Sequence, residues 1–192
     1  MRNSKVLAIL AVLTLLLSGC GASKSVSTAS AAGKSPEVAC EVSWRSEKCF
    51  FGQTAIYEDK RRGGDLVRLE IRVEPPKKFT PSKDAHISPH EIGGDTKVGP
   101  DSVYFTVSIK NIFEKAVLGQ SDVLLDATSA KDSDYDVRTV NDGDIQSYWE
   151  GNLKPGWKKT IKIGWNFTDS TKPQFDVRID GLSGRTATFT EP

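Results

Sequence analysis

Apolar and polar residues alternate one for one along stretch after stretch of this chain, and little else it could fold into is compatible with that. Val67, Leu69, Ile71 and Val73 alternate with Arg68, Glu70, Arg72 and Glu74. Val103, Phe105, Val107 and Ile109 alternate with Tyr104, Thr106, Ser108 and Lys110. Ile161, Ile163, Trp165 and Phe167 form a third series, and Phe175, Val177 and Ile179 a fourth. A period of two puts successive side chains on opposite faces of a strand, one buried and one wet. Helical periodicity is almost absent. Thr186–Thr190 reads as a last strand, and Glu41–Arg45, Thr54–Glu58 and Val123–Ala127 as shorter ones. Turn residues separate them: Pro75-Pro76, Gly63-Gly64, Gly93-Gly94, Gly99-Pro100, Asn141-Asp142-Gly143, Pro155-Gly156 and Gly181 to Gly184. Seven or eight short alternating strands predict an all-β, antiparallel β-sandwich. Two long connections, Phe79–Gly99 and Asp132–Trp149, break the pattern and are expected to be irregular.

The chain before the strands has a different character. Arg2 and Lys5 precede an apolar run, Val6 to Leu17, broken only by Thr14. About a dozen apolar residues fall short of the ~20 a helix needs to span a bilayer. A basic start, a short apolar stretch and small residues at its end describe a signal peptide. Its end, Leu17-Ser18-Gly19-Cys20, resembles the lipobox of bacterial lipoproteins. That resemblance implies cleavage before Cys20 and attachment of diacylglycerol, with acyl chains such as palmitate, to its thiol. The domain would then stand on the extracytoplasmic face of the cell membrane. Two acyl chains suffice for stable anchoring, at ~0.8 kcal/mol per buried methylene.

Residues 20–36 are Ala, Ser, Gly, Thr and Lys with a single Val, a composition that predicts a flexible tether. Gly33-Lys34-Ser35 is no phosphate loop, because Thr28 stands where the motif needs glycine. The expected organisation is therefore a signal peptide at 1–19, a lipid-anchored tether at 20–36 and one sandwich domain at 37–192. Charge is balanced at 26 basic against 25 acidic side chains. No basic stripe is present, so nucleic acid is not an expected partner. With Cys20 acylated, Cys40 and Cys49 remain. Outside the cytoplasm such a pair is expected to form a disulfide, and its spacing is unlike the Cys-x-x-Cys of redox enzymes.

Within the strand region, Tyr104-Phe105-Thr106-Val107-Ser108-Ile109-Lys110-Asn111 is followed by a polar stretch. Leu153-Lys154-Pro155-Gly156 then precedes a strand ending Trp165-Asn166-Phe167. Over Leu66–Phe189 this resembles the immunoglobulin-like domain of exported actinobacterial lipoproteins, a family of unknown function related to the immunoprotective extracellular antigen of mycobacteria. The resemblance implies an immunoglobulin-like sandwich and supplies no catalytic residues. Lys158 and Lys159 depart from it, as does the Cys40–Cys49 segment lying ahead of it.

Residues that could carry chemistry are few. His86 and His90 are the only histidines, and Pro89 between them keeps them off one helical face. Ser183, in Gly181-Leu182-Ser183-Gly184, lacks the spacing of a nucleophile elbow and reads as a hairpin turn. Asp132, Asp134 and Asp136, with Asp142 and Asp144 around Gly143, have the composition of a calcium loop without the EF-hand spacing. A solvated loop with Asx turns explains the same residues, and the sequence leaves both readings open. Of the four tryptophans, Trp44, Trp149, Trp157 and Trp165, the last fits the core pattern, while Trp149 and Trp157 flank loops and are the expected contact residues.

The leading expectation is a non-catalytic module that binds an envelope protein or glycan, with contacts on Asp132–Trp149 and Trp157. The alternatives are an envelope enzyme such as a glycan hydrolase, and a calcium-stabilised structural lipoprotein.

Overall fold

The computed structural model describes residues 39–88, 98–130 and 137–192, and Ser35–Pro192 forms one compact unit. The predicted signal peptide, Cys20 and the tether lie outside the described residues, as do His90, Asp132, Asp134 and Asp136.

Among the described residues there are thirteen strands: β1 Cys40–Val42, β2 Glu47–Phe50, β3 Thr54–Lys60, β4 Leu66–Val73, β5 Lys77–Phe79, β6 His86–Ile87, β7 Asp101–Asn111, β8 Val123–Thr128, β9 Arg138–Asn141, β10 Ile145–Gln146, β11 Lys158–Phe167, β12 Gln174–Ile179 and β13 Ala187–Thr190. They make a two-sheet β-sandwich. The larger sheet runs β1-β3-β4-β7-β11-β9-β6, with β5 also beside β7 and β10 beside β11. The smaller runs β2-β13-β12-β8. Every strand expected from alternation is present. The additional ones are short pieces whose few residues cannot display a period.

Alternation places the core where it was expected. Val67, Leu69, Ile71 and Val73 of β4, and Phe105, Val107 and Ile109 of β7, are buried. Phe175, Val177, Ala187 and Phe189 of the smaller sheet face them. The Phe105 and Phe175 rings meet across the two layers at 4.7 Å. Each such side chain contributes roughly 1.5–3 kcal/mol by leaving water. Pro75-Pro76 does end β4, yet the chain re-enters the same edge: β4 pairs with Val107–Asn111 of β7, and β5 with Ser102–Tyr104.

Two sequence expectations need correcting. Residues 137–149 are not an irregular polar connection, since they hold β9 and β10 and bury Arg138, Val140, Ile145 and Trp149. In β11, alternation fails over Ile163–Phe167, where all five residues are buried. The reason is a second cover on the outer face. A side chain at Gly164 would meet Ile145 Cγ2 at 2.4 Å. Asn166 is closed over by Gly99, bonding its N–H at 2.8 Å and its carbonyl at 2.9 Å.

The cysteines form the expected disulfide, with Cα atoms 5.7 Å apart. Cys40 belongs to the larger sheet and Cys49 to the smaller, so the bond ties the two layers together at one edge.

Candidate functional site

Among the described residues, the predicted site residues do not converge. Asp142 accepts hydrogen bonds from the Ser82 N–H and hydroxyl, both at 2.7 Å. Those bonds, the backbone one foremost, hold its carboxyl below the usual carboxylate range. Asp144 pairs instead with Lys162 at 2.6 Å. Among the described residues no group of three or more His, Cys, Asp or Glu is arranged to hold a metal ion. His86 is exposed on β6, paired with Asn141. Ser183 does lie in the β12–β13 turn, and its hydroxyl donates to Asp59.

Of the two tryptophans expected on the surface, only Trp157 is there, at 57% exposure against 1% for Trp149. Trp149 closes the space between the layers. Its indole N–H reaches the carbonyls of Gln120 and Val123, at 3.1 and 3.3 Å. The amphipathic side chain is satisfied there because the chain turns at Gly119, whose N–H is held by Asp122 Oδ2 at 2.7 Å.

What Trp149 does is floor a groove. A cavity of about 510 Å³ lies between the start of β8 and Ser147–Trp149. Gln120, Ser121, Leu124, Leu125, Ser147 and Tyr148 form its walls. Leu124 and Tyr148 are partly exposed, at 36% and 48%. Among the described residues that line it, none is a carboxylate, histidine, lysine or cysteine. Among the described residues β8 is the last strand of its sheet, paired only with β12. The arrangement offers uncharged hydrogen-bonding groups and apolar contact.

A second cavity, about 330 Å³, opens over Asp59, with Ser43, Leu182 and Arg185 around it. Asp59 is buried and stands 3.5 Å from the Arg185 guanidinium. Arg185 also donates to the carbonyls of Ser43 and Glu58. The neighbouring Tyr57 hydroxyl donates to the Arg185 carbonyl at 2.6 Å and accepts from the Ile179 N–H at 3.3 Å. Burial pushes the Tyr57 phenol up to about 12. Every member of this network is engaged by another, which is what a buried polar cluster needs to be tolerated. Its role is to seat the β12–β13 turn on β3. A signal for it exists in the sequence: Ala55, Tyr57 and Asp59 share one face of a strand, so an ionised group falls on the inward side.

The fold and these two cavities define a β-sandwich with an uncharged groove along an edge strand. No protein family matches the chain, and no curated protein is similar to it. Among solved structures, an uncharacterized β-sandwich protein of Clostridium difficile 630 is similar at 10% identity, over 78% of this chain and 97% of that one, with a TM-score of 0.37.

Proposed function

We propose that the protein is an exported lipoprotein whose sandwich is a non-catalytic binding module, held to the outer face of the cell membrane by lipid on Cys20. The groove beside β8 takes the ligand. That groove is the observation that carries the reading: amide, hydroxyl, apolar and aromatic groups line it among the described residues. An uncharged glycan or an extended peptide of the envelope matches such walls. The Leu17–Cys20 sequence supports the anchor, and the Cys40–Cys49 disulfide supports an oxidising compartment. The motifs resembling immunoglobulin-like exported lipoproteins meet in space, since the Asn111 amide donates to the Leu153 carbonyl at 3.2 Å.

Two experiments test the reading. Mass spectrometry of the chain purified from bacterial membranes is expected to find a diacylated Cys20 at the N-terminus, and Cys20→Ser to release the protein. An intact, unlipidated N-terminus on membrane-extracted protein would remove the anchor. For the groove, amide chemical shifts of Leu124, Leu125 and Tyr148 are followed while envelope glycan fragments and peptides are added. Turnover of any of them, abolished by a single substitution, would replace the binding module with an enzyme.

A further inference from the structure

Among the described residues, β8 differs from the other strands that end the two sheets. β1, β2 and β6 have three, four and two residues, and β8 has six. Its register with β12 is unbroken, from Val123 opposite Ile179 through to Thr128 opposite Gln174. Folded proteins blunt such edges with short strands, lysine, proline or a bulge, and Val123–Thr128 has none of these.

The direction of its backbone groups follows from one bond. The Asp180 N–H donates to the Asp122 carbonyl at 3.0 Å, so these two residues form a hydrogen-bonded pair. In an antiparallel ladder such pairs recur at every second residue. Leu124 and Asp126 therefore turn their N–H and C=O groups toward β12. Val123, Leu125 and Ala127 turn theirs the other way, along the open edge. The outer two of these are partly answered from within the chain. The Trp149 indole donates to the Val123 carbonyl at 3.3 Å, and the Ala127 N–H donates to Asp126 Oδ1 at 2.9 Å. Between them, the Leu125 N–H and C=O bond to no described residue. Leu125 is half-buried against the core and lines the groove. Backbone groups in such a place are nearly always paired. An N–H and a C=O left open side by side on one residue are the groups that a further strand would take up.

We propose that the groove takes an extended peptide segment, which adds to the smaller sheet as an antiparallel strand beside β8. The proposal rests on the reading of the groove as the ligand site and names the ligand. One peptide residue facing Leu125 supplies both bonds, since a hydrogen-bonded antiparallel pair exchanges two. Main-chain bonds then give affinity and side-chain pockets give specificity. A glycan has no N–H and C=O repeating at the strand spacing of about 3.4 Å per residue. The peptide residue facing Leu124 falls in a non-hydrogen-bonded pair, where side chains come closest. Leu124 and Tyr148 both line the groove there, and an apolar side chain fits between them. Two residues earlier in an antiparallel chain, a lysine faces Asp126, and opposite charges so placed attract.

The probe is therefore the end-blocked pentapeptide Thr-Lys-Thr-Val-Thr, whose third residue faces Leu125. It is added to the full chain in detergent micelles, and amide hydrogen exchange is followed by NMR. The Leu125 amide is expected to slow about ten-fold at about ninety per cent occupancy. The amides of Leu124 and Asp126, already bonded to β12, keep their rates. The same peptide with every amide N-methylated retains its side chains and binds about ten-fold more weakly or worse. Aspartate in place of its valine lowers affinity about five-fold. Leu125→Pro removes the donor at an edge position that tolerates proline, and this variant refuses the peptide. If it fails to fold, the N-methylated peptide carries the test on the unchanged chain. Equal slowing at Leu124 and Leu125, an N-methylated peptide that binds as well as its parent, or no binding of the parent overturns the proposal. Chitotetraose, an uncharged glycan, separates that failure from failure of the groove itself. Shifts at Leu124 and Tyr148 with chitotetraose alone would leave the groove and make its ligand a sugar. Neither molecule perturbing a groove residue would remove both readings.

Discussion

Two buried asparagines hold the opposite ends of the sandwich, and the ends differ in what they do with the order so gained. Asn111 closes the end of β7. Its amide donates to the Ala116 and Leu153 carbonyls at 2.6 and 3.2 Å, and its carbonyl accepts from the Phe113 N–H at 3.1 Å. Asn166, on the neighbouring β11, donates to the Gly99 carbonyl and the Ser102 hydroxyl, both at 2.9 Å, and accepts from the Gly99 N–H at 2.8 Å. Around Asn166 the loops fold back on the strands, and Gly99 lies so close to Phe167 that a Cβ there would stand 2.1 Å from its carbonyl oxygen. Around Asn111 the loops are fixed just as firmly but aim Trp157 and Lys154 outward. Rigidity thus closes one end and presents the other. Loops positioned by a scaffold are where binding surfaces are expected.

The sharpest way to break this comparison is to remove each amide. Asn166→Ala and Asn111→Ala each strand several buried backbone groups, and leaving such groups unpaired costs about 1–3 kcal/mol apiece. Each variant is expected to lose about 3–4 kcal/mol by denaturant unfolding. The two should then separate. Asn111→Ala frees the Trp157 turn, so tryptophan emission broadens before global unfolding. Asn166→Ala leaves that turn in place, and its emission changes only with the global transition. Identical fluorescence behaviour would mean that Asn111 does not fix the presented end.

Neither asparagine declared its role in the sequence. Asn111 was visible as the polar end of an alternating strand, and the Leu153–Gly156 turn was visible as a turn. Their contact spans forty-two positions and has no local signature. Asn166 lies within a strand whose alternation would expose it. Its burial comes from the connection before β7, which had no readable pattern. The sheets and core were legible because a period of two is a local property. Trp149 departs from expectation because its neighbours in the chain point to solvent, whereas the carbonyls that accept its N–H come from a distant turn. The β8 groove was illegible for the same reason: its two walls are remote in sequence, and nothing in either alone marks it.

Smaller effects come from the covalent tie between the sheets and from a buried ionisable group. Replacing Cys40 and Cys49 together by Ala removes the tie between the sheets. For a separation of 9 residues the chain-entropy model gives about 2–3 kcal/mol. That corresponds to a fall in Tm of about 5–10 °C by calorimetry, and the same fall is expected on reduction. Tyr57 adds a dependence on alkali. Its folded pKa, about 12, lies above the ordinary value of 10.0. The stabilising contribution is therefore complete below pH 10 and is lost as pH rises through 12, by about 2–3 kcal/mol in all. Tyr57→Phe should unfold with no such slope between those limits. A slope retained in that variant would assign the alkaline transition to another group.

The closed end should respond to acid instead, and more weakly. Asp101 sits there, its carboxylate accepting from Lys78 at 2.9 Å and from the Ser170 hydroxyl at 2.9 Å. Lys78 first, then Ser170, holds its carboxyl below the ordinary value. A depressed folded pKa contributes stability above the unfolded value, and this is lost as pH falls through the folded one. The carboxylate is partly exposed, so solvent screening keeps the effect to a fraction of 1 kcal/mol. Asp101→Asn is expected to flatten the acid limb of the stability curve slightly and to leave the alkaline limb, set by Tyr57, untouched. If it moved the alkaline limb as well, the two ends would be coupled through the core.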